Sequence, residues 1–407
     1  MGHRYIPRAL EPVLRRAARE FPAVVLAGAR QSGKTTLLKH VFGGKYGYVS
    51  LEAPDVRAAA AADPRGFLEM HPPPVIFDEV QHAPDLLLYI KERIDDRRDV
   101  PGQYFLTGSQ NLLLTERVTE SLAGRAAMLR LLPLSQREMD GRSTAPLPWE
   151  AQGKRASGVH RSAPALWREF LRGAYPELAA EPDRDIPLWH SSYIQTYLER
   201  DVRSLRQVGD LTSFQNFIRA LAARSGQLLN LTDVARDLGI AVNTCRAWLS
   251  VLEATYQVMV LRPYHANVRK RLVKTPKIYF TDTGMLCYLA GLKDPEHAAV
   301  GPLGGAILET AVLLEIVKVF VTRGEEPRVY FWRTAAGVEV DLVVEAAGRL
   351  IPIEVKLSSS PTPAMANAIR TFREDLGERA GPGFVVHPGN VRLPLAPNVV
   401  ALPFNDL

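Results

Sequence analysis

The chain has 407 residues, of which 46% are hydrophobic, and carries a formal net charge of +6. This length predicts two or three domains with their own cores, and the small positive surplus favours an anionic partner without proving one. The two cysteines, Cys245 and Cys287, do not predict a disulfide framework. The nine histidines include no pair with the spacing of metal ligands, so the sequence predicts no zinc site. The apolar runs are too short for membrane spans, so we expect a cytoplasmic protein without a membrane partner.

The first motif is a phosphate-binding loop. An apolar run at 24–27 precedes the pattern G-x-x-x-x-G-K-T, and a helical pattern follows it. A glycine-rich turn between a strand and a helix presents successive backbone N–H groups to phosphate, while the lysine adds positive charge and the hydroxyl can ligate Mg²⁺. The sequence therefore predicts binding of ATP or GTP with Mg²⁺, ATP being the preferred nucleotide. The predicted nucleotide contacts are Gly28, Ala29, Arg30, Gln31, Ser32, Gly33, Lys34, Thr35 and Thr36.

A second strand-like run ends in two acids, Asp78 and Glu79. In P-loop proteins the first acid at this place holds Mg²⁺ and the second polarises the attacking water, so hydrolysis is favoured over binding alone. A further run at 104–106 leads to Ser109 and Gln110, either of which could contact the γ-phosphate or orient water. A simple turn is the alternative for these two residues.

Arg125 follows this turn and is the candidate arginine finger. A cation that reaches the nucleotide of a neighbouring subunit could stabilise charge during phosphoryl transfer, which would require a homo-oligomer. An arginine that is solvated or salt-bridged within its own domain is an equal alternative.

The hydrophobic pattern divides the chain into three domains and a connection. Residues 1–140 alternate short apolar runs with helical patterns and predict a mainly parallel sheet covered by helices. Residues 141–165 are rich in Gly, Pro, Ser and Ala and predict a mobile linker or insertion. Residues 166–300 predict a helical domain, and residues 301–407 a second α/β domain.

Residues 231–252 predict a helix-turn-helix, with a turn at Gly239 and Asn243, Thr244, Arg246 and Ser250 on the outer face of the second helix. A basic run over residues 262–277 follows, and it could be the hairpin of a winged helix lying on phosphates. The basic residues predicted to bind DNA here are Arg269, Lys270, Arg271 and Lys274. An ordinary helical module with a solvated basic face is the alternative.

The last domain carries a set of charged residues on strand-like runs. Glu354 and Lys356 point to one face of a strand, and Asp341 on the adjacent strand and Glu309 on the preceding helix could join them. Three carboxylates can hold a divalent metal beside a lysine that stabilises charge. A metal-dependent phosphodiesterase uses such a set of residues. Charged strand ends are common, so a surface without function is the alternative.

The ordered motifs resemble a known family, the bacterial and archaeal ATPases that join an AAA-type P-loop domain to a C-terminal domain of unknown function numbered 4143. The resemblance extends over nearly the whole chain and is carried by residues 28–36, 77–81, 106–110, 121–125, 193–202, 274–284, 339–341 and 353–356.

The resemblance implies an AAA-like ATPase core, a helical winged-helix-like middle and a C-terminal α/β domain of the restriction-endonuclease-like PD-(D/E)XK kind. By this resemblance Lys34, Thr35, Asp78 and Glu79 would bind nucleotide and Mg²⁺, and Arg125 would act in trans. The nuclease-like set would be Glu309, Asp341, Glu354 and Lys356.

These features favour a Mg²⁺-dependent ATPase coupled to the binding or remodelling of DNA, with branched or broken DNA as a plausible substrate. Two alternatives remain at this point. One is a nucleotide-operated switch whose C-terminal domain binds DNA or protein without cutting, and the other is an ATP-regulated, metal-dependent nuclease.

Overall fold

The computed structural model describes residues 4–109, 121–151, 159–198, 211–264 and 275–407. Within these ranges no helix combines the length and the apolar character needed to cross a bilayer.

The first part of the chain forms a five-stranded parallel sheet, which confirms the predicted α/β domain. The sheet order is β2-β3-β4-β1-β5. Its strands are β1 (Ala23–Ala27), β2 (Gly47–Ser50), β3 (Val75–Asp78), β4 (Tyr104–Gly108) and β5 (Ala126–Arg130). The helices are α1 (Glu11–Glu20), α2 (Lys34–Phe42), α3 (Pro54–Ala62), α4 (Pro64–Met70) and α5 (Leu86–Asp96). Every residue of β1, β3 and β4 is buried, as expected for parallel strands with helices on both faces.

Some residues of the predicted linker or insertion pack against other parts of the chain in the described range 141–151. A short helix, α6 (Gln136–Met139), precedes it, and Leu147 is completely buried. Both carboxylate oxygens of Glu150 accept hydrogen bonds from Arg323, at 2.7 and 2.8 Å. A composition rich in small residues predicts irregular backbone, but it carries no information about a few large side chains that anchor such backbone to other domains.

The middle part is helical, as predicted. Its helices are α7 (Ala163–Arg172), α8 (Pro176–Ala180), α9 (Ile186–Tyr193), α10 (Leu211–Ala222), α11 (Leu231–Leu238), α12 (Val242–Ala254), α13 (Thr283–Leu289) and α14 (Pro295–Val300). A π-helical turn, Ile194–Leu198, continues α9. Strands β6 (Val258–Leu261) and β7 (Lys277–Phe280) pair in antiparallel fashion after α12.

The C-terminal part begins with α15 (Gly304–Thr322) and contains a six-stranded mixed sheet of order β12-β13-β11-β10-β9-β8. The strands are β8 (Val329–Arg333), β9 (Glu339–Ala346), β10 (Arg349–Val355), β11 (Gly383–His387), β12 (Leu393–Ala396) and β13 (Val399–Pro403). Helix α16 (Asn367–Leu376) joins β10 to β11. The helix expected to carry Glu309 and the adjacent strands expected to carry Asp341 and Glu354 are present, as α15, β9 and β10.

Helix α15 connects the C-terminal part to the first domain. It is apolar nearly all round, a pattern typical of a helix buried on every side. Its two buried charged side chains have backbone partners at the start of α6 and just before it. Glu315 accepts a hydrogen bond of 2.8 Å from the Gln136 backbone N–H, and the Lys318 ammonium donates one of 2.7 Å to the Leu134 carbonyl.

We expect Leu147→Ala to lower the free energy of unfolding by about 2–5 kcal/mol, because it leaves a cavity beneath a docked segment. Thermal unfolding followed by circular dichroism measures the effect as a lowered melting temperature. Val159→Ala is the control, since Val159 is 45% exposed and its truncation should change stability by less than about 0.5 kcal/mol. Equal melting temperatures for the two variants would show that residues 141–151 do not contribute to the core.

Candidate functional site

The phosphate-binding loop lies between β1 and α2, at the carboxyl edge of the first sheet. Gly28 has φ +157°, and a Cβ atom there would lie 2.1 Å from the Leu131 carbonyl oxygen, so only glycine fits. Gly33 has φ +93° and caps the amino end of α2 in a left-handed conformation. The two glycines thus produce the tight turn that directs the amino end of α2 into the loop, where its free N–H groups favour an anion.

Lys34 is the first residue of α2, and its side chain lies inside the loop. Its ammonium donates hydrogen bonds to the carbonyl oxygens of Gly28 at 2.9 Å and Ala29 at 3.0 Å. The residue is only 5% exposed, so the positive charge faces the loop interior rather than bulk water.

Asp78 ends β3 beside this loop and is surrounded by hydroxyl donors. Its Oδ2 accepts hydrogen bonds from Thr35 Oγ1 at 2.8 Å and from the Tyr48 hydroxyl at 2.7 Å. Its Oδ1 accepts a hydrogen bond from Thr107 Oγ1. Burial, with the hydrogen bond to Asp78 second, raises the pKa of Tyr48, so this phenol stays a donor at neutral pH.

Glu79 follows in a left-handed conformation, φ +57°, which turns its side chain toward the pocket. Its backbone N–H donates to Thr107 Oγ1 at 3.1 Å, and its Oε2 accepts a hydrogen bond of 3.0 Å from Ser109 Oγ. Gln81 Nε2 donates to the same oxygen. Ser109 therefore lies beside Glu79, whereas Gln110 lies outside the described residues.

A cavity of about 390 Å³ opens over the loop. Besides Lys34, Thr35 and Glu79, its walls come from the amino-terminal segment and from α8 of the helical part. These wall residues are Arg4, Tyr5, Ile6, Arg8, Pro176, Glu177 and Ala180. The site therefore lies where the first two parts of the chain meet, and its volume is in the range of small-molecule pockets.

The oxygen atoms beside the loop are suited to bind the Mg²⁺ ion of a magnesium nucleotide. Mg²⁺ prefers hard oxygen ligands and usually keeps several waters while bound to one or two protein oxygens and to phosphate. Thr35 Oγ1, at the start of α2, and Asp78 Oδ2, at the end of β3, supply such oxygens and lie 2.8 Å apart.

Arg125 lies at the other edge of the sheet. Its carbonyl accepts from the Ala23 N–H, at the start of β1, whereas the phosphate-binding loop follows the end of that strand. Its guanidinium makes two hydrogen bonds to Asp95, at 2.6 and 2.9 Å. Arg125 is thus a salt-bridged residue with respect to its own domain, and a role at the nucleotide of a second copy stays a prediction.

The residues predicted to contact DNA lie partly on α12. Asn243 and Arg246 are exposed and Thr244 is half-buried, while Cys245, Trp248 and Leu249 are buried. Arg246 Nη1 donates to Asn243 Oδ1 at 3.0 Å. The other predicted contacts lie outside the described residues. They are Arg269, Lys270, Arg271 and Lys274.

The acidic residues of the C-terminal domain are brought together, but each carboxylate has a donor within the protein. Glu309 accepts a hydrogen bond of 3.0 Å from Lys277 Nζ. Asp341 Oδ2 accepts one of 2.8 Å from the Val355 N–H. Glu354 Oε2 accepts one of 2.7 Å from Lys356 Nζ.

Burial dominates the electrostatics of this cluster. It raises the pKa of Glu309 to about 7, with the Asp341 charge as the second cause. It raises the pKa of Glu354 to about 9, again with Asp341 second. Within the described ranges, no group of three or more His, Cys, Asp or Glu side chains is arranged to hold a metal ion. In this arrangement lysines and a backbone N–H donate to the carboxylate oxygens that would have to bind a metal, and the metal-ligand role of Glu309, Asp341 and Glu354 stays a prediction.

Sequence reasoning missed several residues that complete these sites. Tyr48 and Thr107 were not expected at Asp78, although both lie on strands that flank β3. Gln81 stands two residues after Glu79 but carried no assigned role. Lys277 was counted among the basic residues of the hairpin, and only its spatial position reveals its contact with Glu309.

Family models match three consecutive regions of the chain. They are an AAA domain at residues 20–140, a domain of unknown function (DUF8612) at 164–296 and a domain of unknown function (DUF4143) at 304–407.

Two mycobacterial relatives match nearly the whole chain. They are the "Uncharacterized protein Rv2008c" of Mycobacterium tuberculosis and the "Uncharacterized protein Mb2031c" of Mycobacterium bovis. Each is 33% identical over 97% of this chain and 82% of its own length. The "Uncharacterized protein MJ1544" of Methanocaldococcus jannaschii is 21% identical over 79% of this chain and 71% of its own length.

Among solved structures, the Walker-type ATPase PABY2304 of Pyrococcus abyssi is similar over 70% of this chain and 96% of that chain, with 15% identity and a TM-score of 0.46. At that score the overall likeness is loose, so the assignment depends on the family matches and the loop. The chain belongs to the family, shared with Rv2008c, of P-loop ATPases that join an AAA domain to a C-terminal DUF4143 domain.

Proposed function

We propose that this ATPase couples the hydrolysis of Mg·ATP to the binding of DNA. The observation that carries the proposal is a chain of hydrogen bonds from the phosphate-binding loop to the β6–β7 hairpin. The Tyr193 hydroxyl donates to the Arg30 carbonyl at 3.4 Å and accepts from Gln257 Nε2 at 2.9 Å. The Gln257 carbonyl accepts from the Thr281 N–H at 3.0 Å, directly after β7. A change in the loop can thus reach the hairpin through buried groups.

The residues at the loop divide the chemistry of hydrolysis. Lys34 places a positive charge at the phosphates, and Glu79 accepts a proton from the attacking water. Ser109, 3.0 Å from Glu79 Oε2, orients that carboxylate. Thr35 and Asp78 would hold Mg²⁺, which when bound would supply positive charge at the phosphate oxygens.

The arrangement of the helical part supports a winged helix as the DNA-binding module. Helices α11 and α12 meet at Gly239, which adopts a left-handed conformation, and the β6–β7 hairpin follows them. Such a module places the outer face of its second helix in the major groove and its hairpin on the backbone. The exposed Asn243 and Arg246 are therefore the proposed base or phosphate contacts.

A second candidate function is metal-dependent cleavage of DNA by the C-terminal domain. The succession of a helix, three antiparallel strands, a second helix and a strand parallel to β10 supports the nuclease-like fold. The internal partners of Glu309, Asp341 and Glu354 count against a metal-binding role in this arrangement. Of the two functions, ATP-driven DNA binding without cleavage is better supported.

We expect Glu79→Gln to lower kcat for ATP hydrolysis by about 10²–10⁴-fold while ATP binding is retained, since only the proton acceptor is lost. Phosphate release measures turnover, and isothermal titration calorimetry with Mg·ATP measures binding. Lys34→Ala should instead weaken binding itself, because it removes the charge inside the loop.

Glu69→Gln is the matched control for this experiment, since Glu69 is an exposed glutamate on α4. It should hydrolyse ATP at the wild-type rate. If Glu79→Gln also turns over normally, Glu79 is not the proton acceptor.

We expect Arg246→Ala to cost about 1–3 kcal/mol of DNA-binding free energy, because it removes one cation from the exposed face of α12. Fluorescence anisotropy with labelled linear and forked DNA, at one fixed salt concentration, measures the loss with and without ATP. The stimulation of ATP turnover by DNA should fall in parallel.

Arg370→Ala offers a closely matched control. Like Arg246, Arg370 is exposed on a helix and donates to an asparagine three residues earlier, here Asn367 at 3.4 Å. This variant should bind DNA as the wild type does. Equal losses for both arginines would indicate non-specific attraction, and no loss for Arg246 would place the DNA elsewhere.

A further inference from the structure

The C-terminal domain contains an acidic pocket made of Glu309, Glu339, Asp341 and Glu354, and a lysine from the helical part enters it. Lys277, the first residue of β7, places Nζ 3.0 Å from Glu309 Oε1 and 2.5 Å from Glu339 Oε1. Its side chain is 3% exposed. One ammonium therefore bridges a carboxylate on α15 and a carboxylate at the start of β9.

Neighbouring groups complete the contacts of this lysine. The Tyr279 hydroxyl donates to Glu309 Oε1, and Arg333 Nη1 donates to Glu339 Oε2 at 2.8 Å. Lys277 Nζ also lies 5.4 Å from the centre of the Phe331 ring. The ammonium thus has two carboxylate partners, and each of these carboxylates has a second donor, which is the condition under which buried charges are stable.

The remaining two acids of the pocket lie beside the first pair. Burial first, and the Asp341 charge second, raises the pKa of both Glu309 and Glu354. Lys356 and the Val355 N–H are their partners. All four carboxylates of the pocket thus have a donor from the protein.

We propose that the Lys277 ammonium replaces a divalent cation in the acidic pocket and fixes the β6–β7 hairpin to the C-terminal domain. A divalent ion needs carboxylate oxygens at about 2.0–2.6 Å, and the ammonium already lies between two of these carboxylates, those of Glu309 and Glu339. A second cation placed beside it would be repelled strongly in a buried setting.

This arrangement makes metal binding and hairpin position mutually exclusive. While Lys277 is in the pocket, the C-terminal domain binds no divalent ion there and cannot perform metal-dependent cleavage. Withdrawal of β7 would expose the four carboxylates together. The inference does not depend on ATP hydrolysis or on DNA binding, so it stands or falls separately from the proposed function.

The test is Mn²⁺ binding by the full-length chain without nucleotide, measured by electron paramagnetic resonance. Asp78→Asn is present throughout so that the nucleotide site does not contribute. This chain should show no tight Mn²⁺ site, whereas adding Lys277→Ala should create one that binds at least tenfold more tightly. Adding Glu309→Gln to that variant should abolish the new site.

Lys293→Ala is the control, because Lys293 is exposed and its loss should create no Mn²⁺ site. If the chain with Lys277 intact binds Mn²⁺ and loses it on Glu309→Gln, the proposal is wrong. It is equally wrong if folded Lys277→Ala gains no site.

A thermal-unfolding cycle covers the case in which Lys277→Ala does not fold. Lys277→Met and Glu309→Gln should each lower the melting temperature, and the double variant should lose clearly less than the sum of the two shifts. Additive shifts would mean that the two side chains do not form the bridge.

Discussion

The architecture depends on the burial of α15 with two charged side chains on it. Glu315 and Lys318 are buried, and such groups are tolerated only when partners satisfy them. Both partners are backbone groups of residues 134–136, at the end of the ATPase domain. These two hydrogen bonds therefore join the first helix of the C-terminal part to the end of the ATPase domain.

The acids at Asp78 and at Glu309 differ in their capacity to bind a cation, because the groups that donate hydrogen bonds to them differ in charge. Around Asp78 the donors are hydroxyls, Thr35, Tyr48 and Thr107, which are neutral and leave the carboxylate able to interact with a cation. Around Glu309 the main donor is an ammonium. Carboxylates alone do not make a metal site, since the charge of their neighbours decides whether a cation is needed.

The residues of the phosphate-binding loop could be located from the sequence because they are close together along the chain. A strand, a glycine-rich turn and a helix follow one another without interruption, so residues 28–35 can be placed from covalent order alone. Asp78 and Glu79 are far from the loop in sequence, yet the carboxyl ends of parallel strands lie at one edge of the sheet, which brings these acids to the loop. The docked segment around Leu147 and the contact of Lys277 with Glu309 could not be predicted in this way, because each depends on elements far apart in the chain.

By itself, the sequence determined the parallel sheet, the phosphate-binding loop and the helical middle, since these follow from hydrophobic period and from the conformational demands of glycine. Only the tertiary structure decided that Arg125 pairs with Asp95, that Tyr193 connects the loop to Gln257, and that Lys277 bridges Glu309 and Glu339. The physical reason is that ion pairs and hydrogen bonds require two groups to be close in space. Sequence spacing does not specify that distance once the residues lie on different elements.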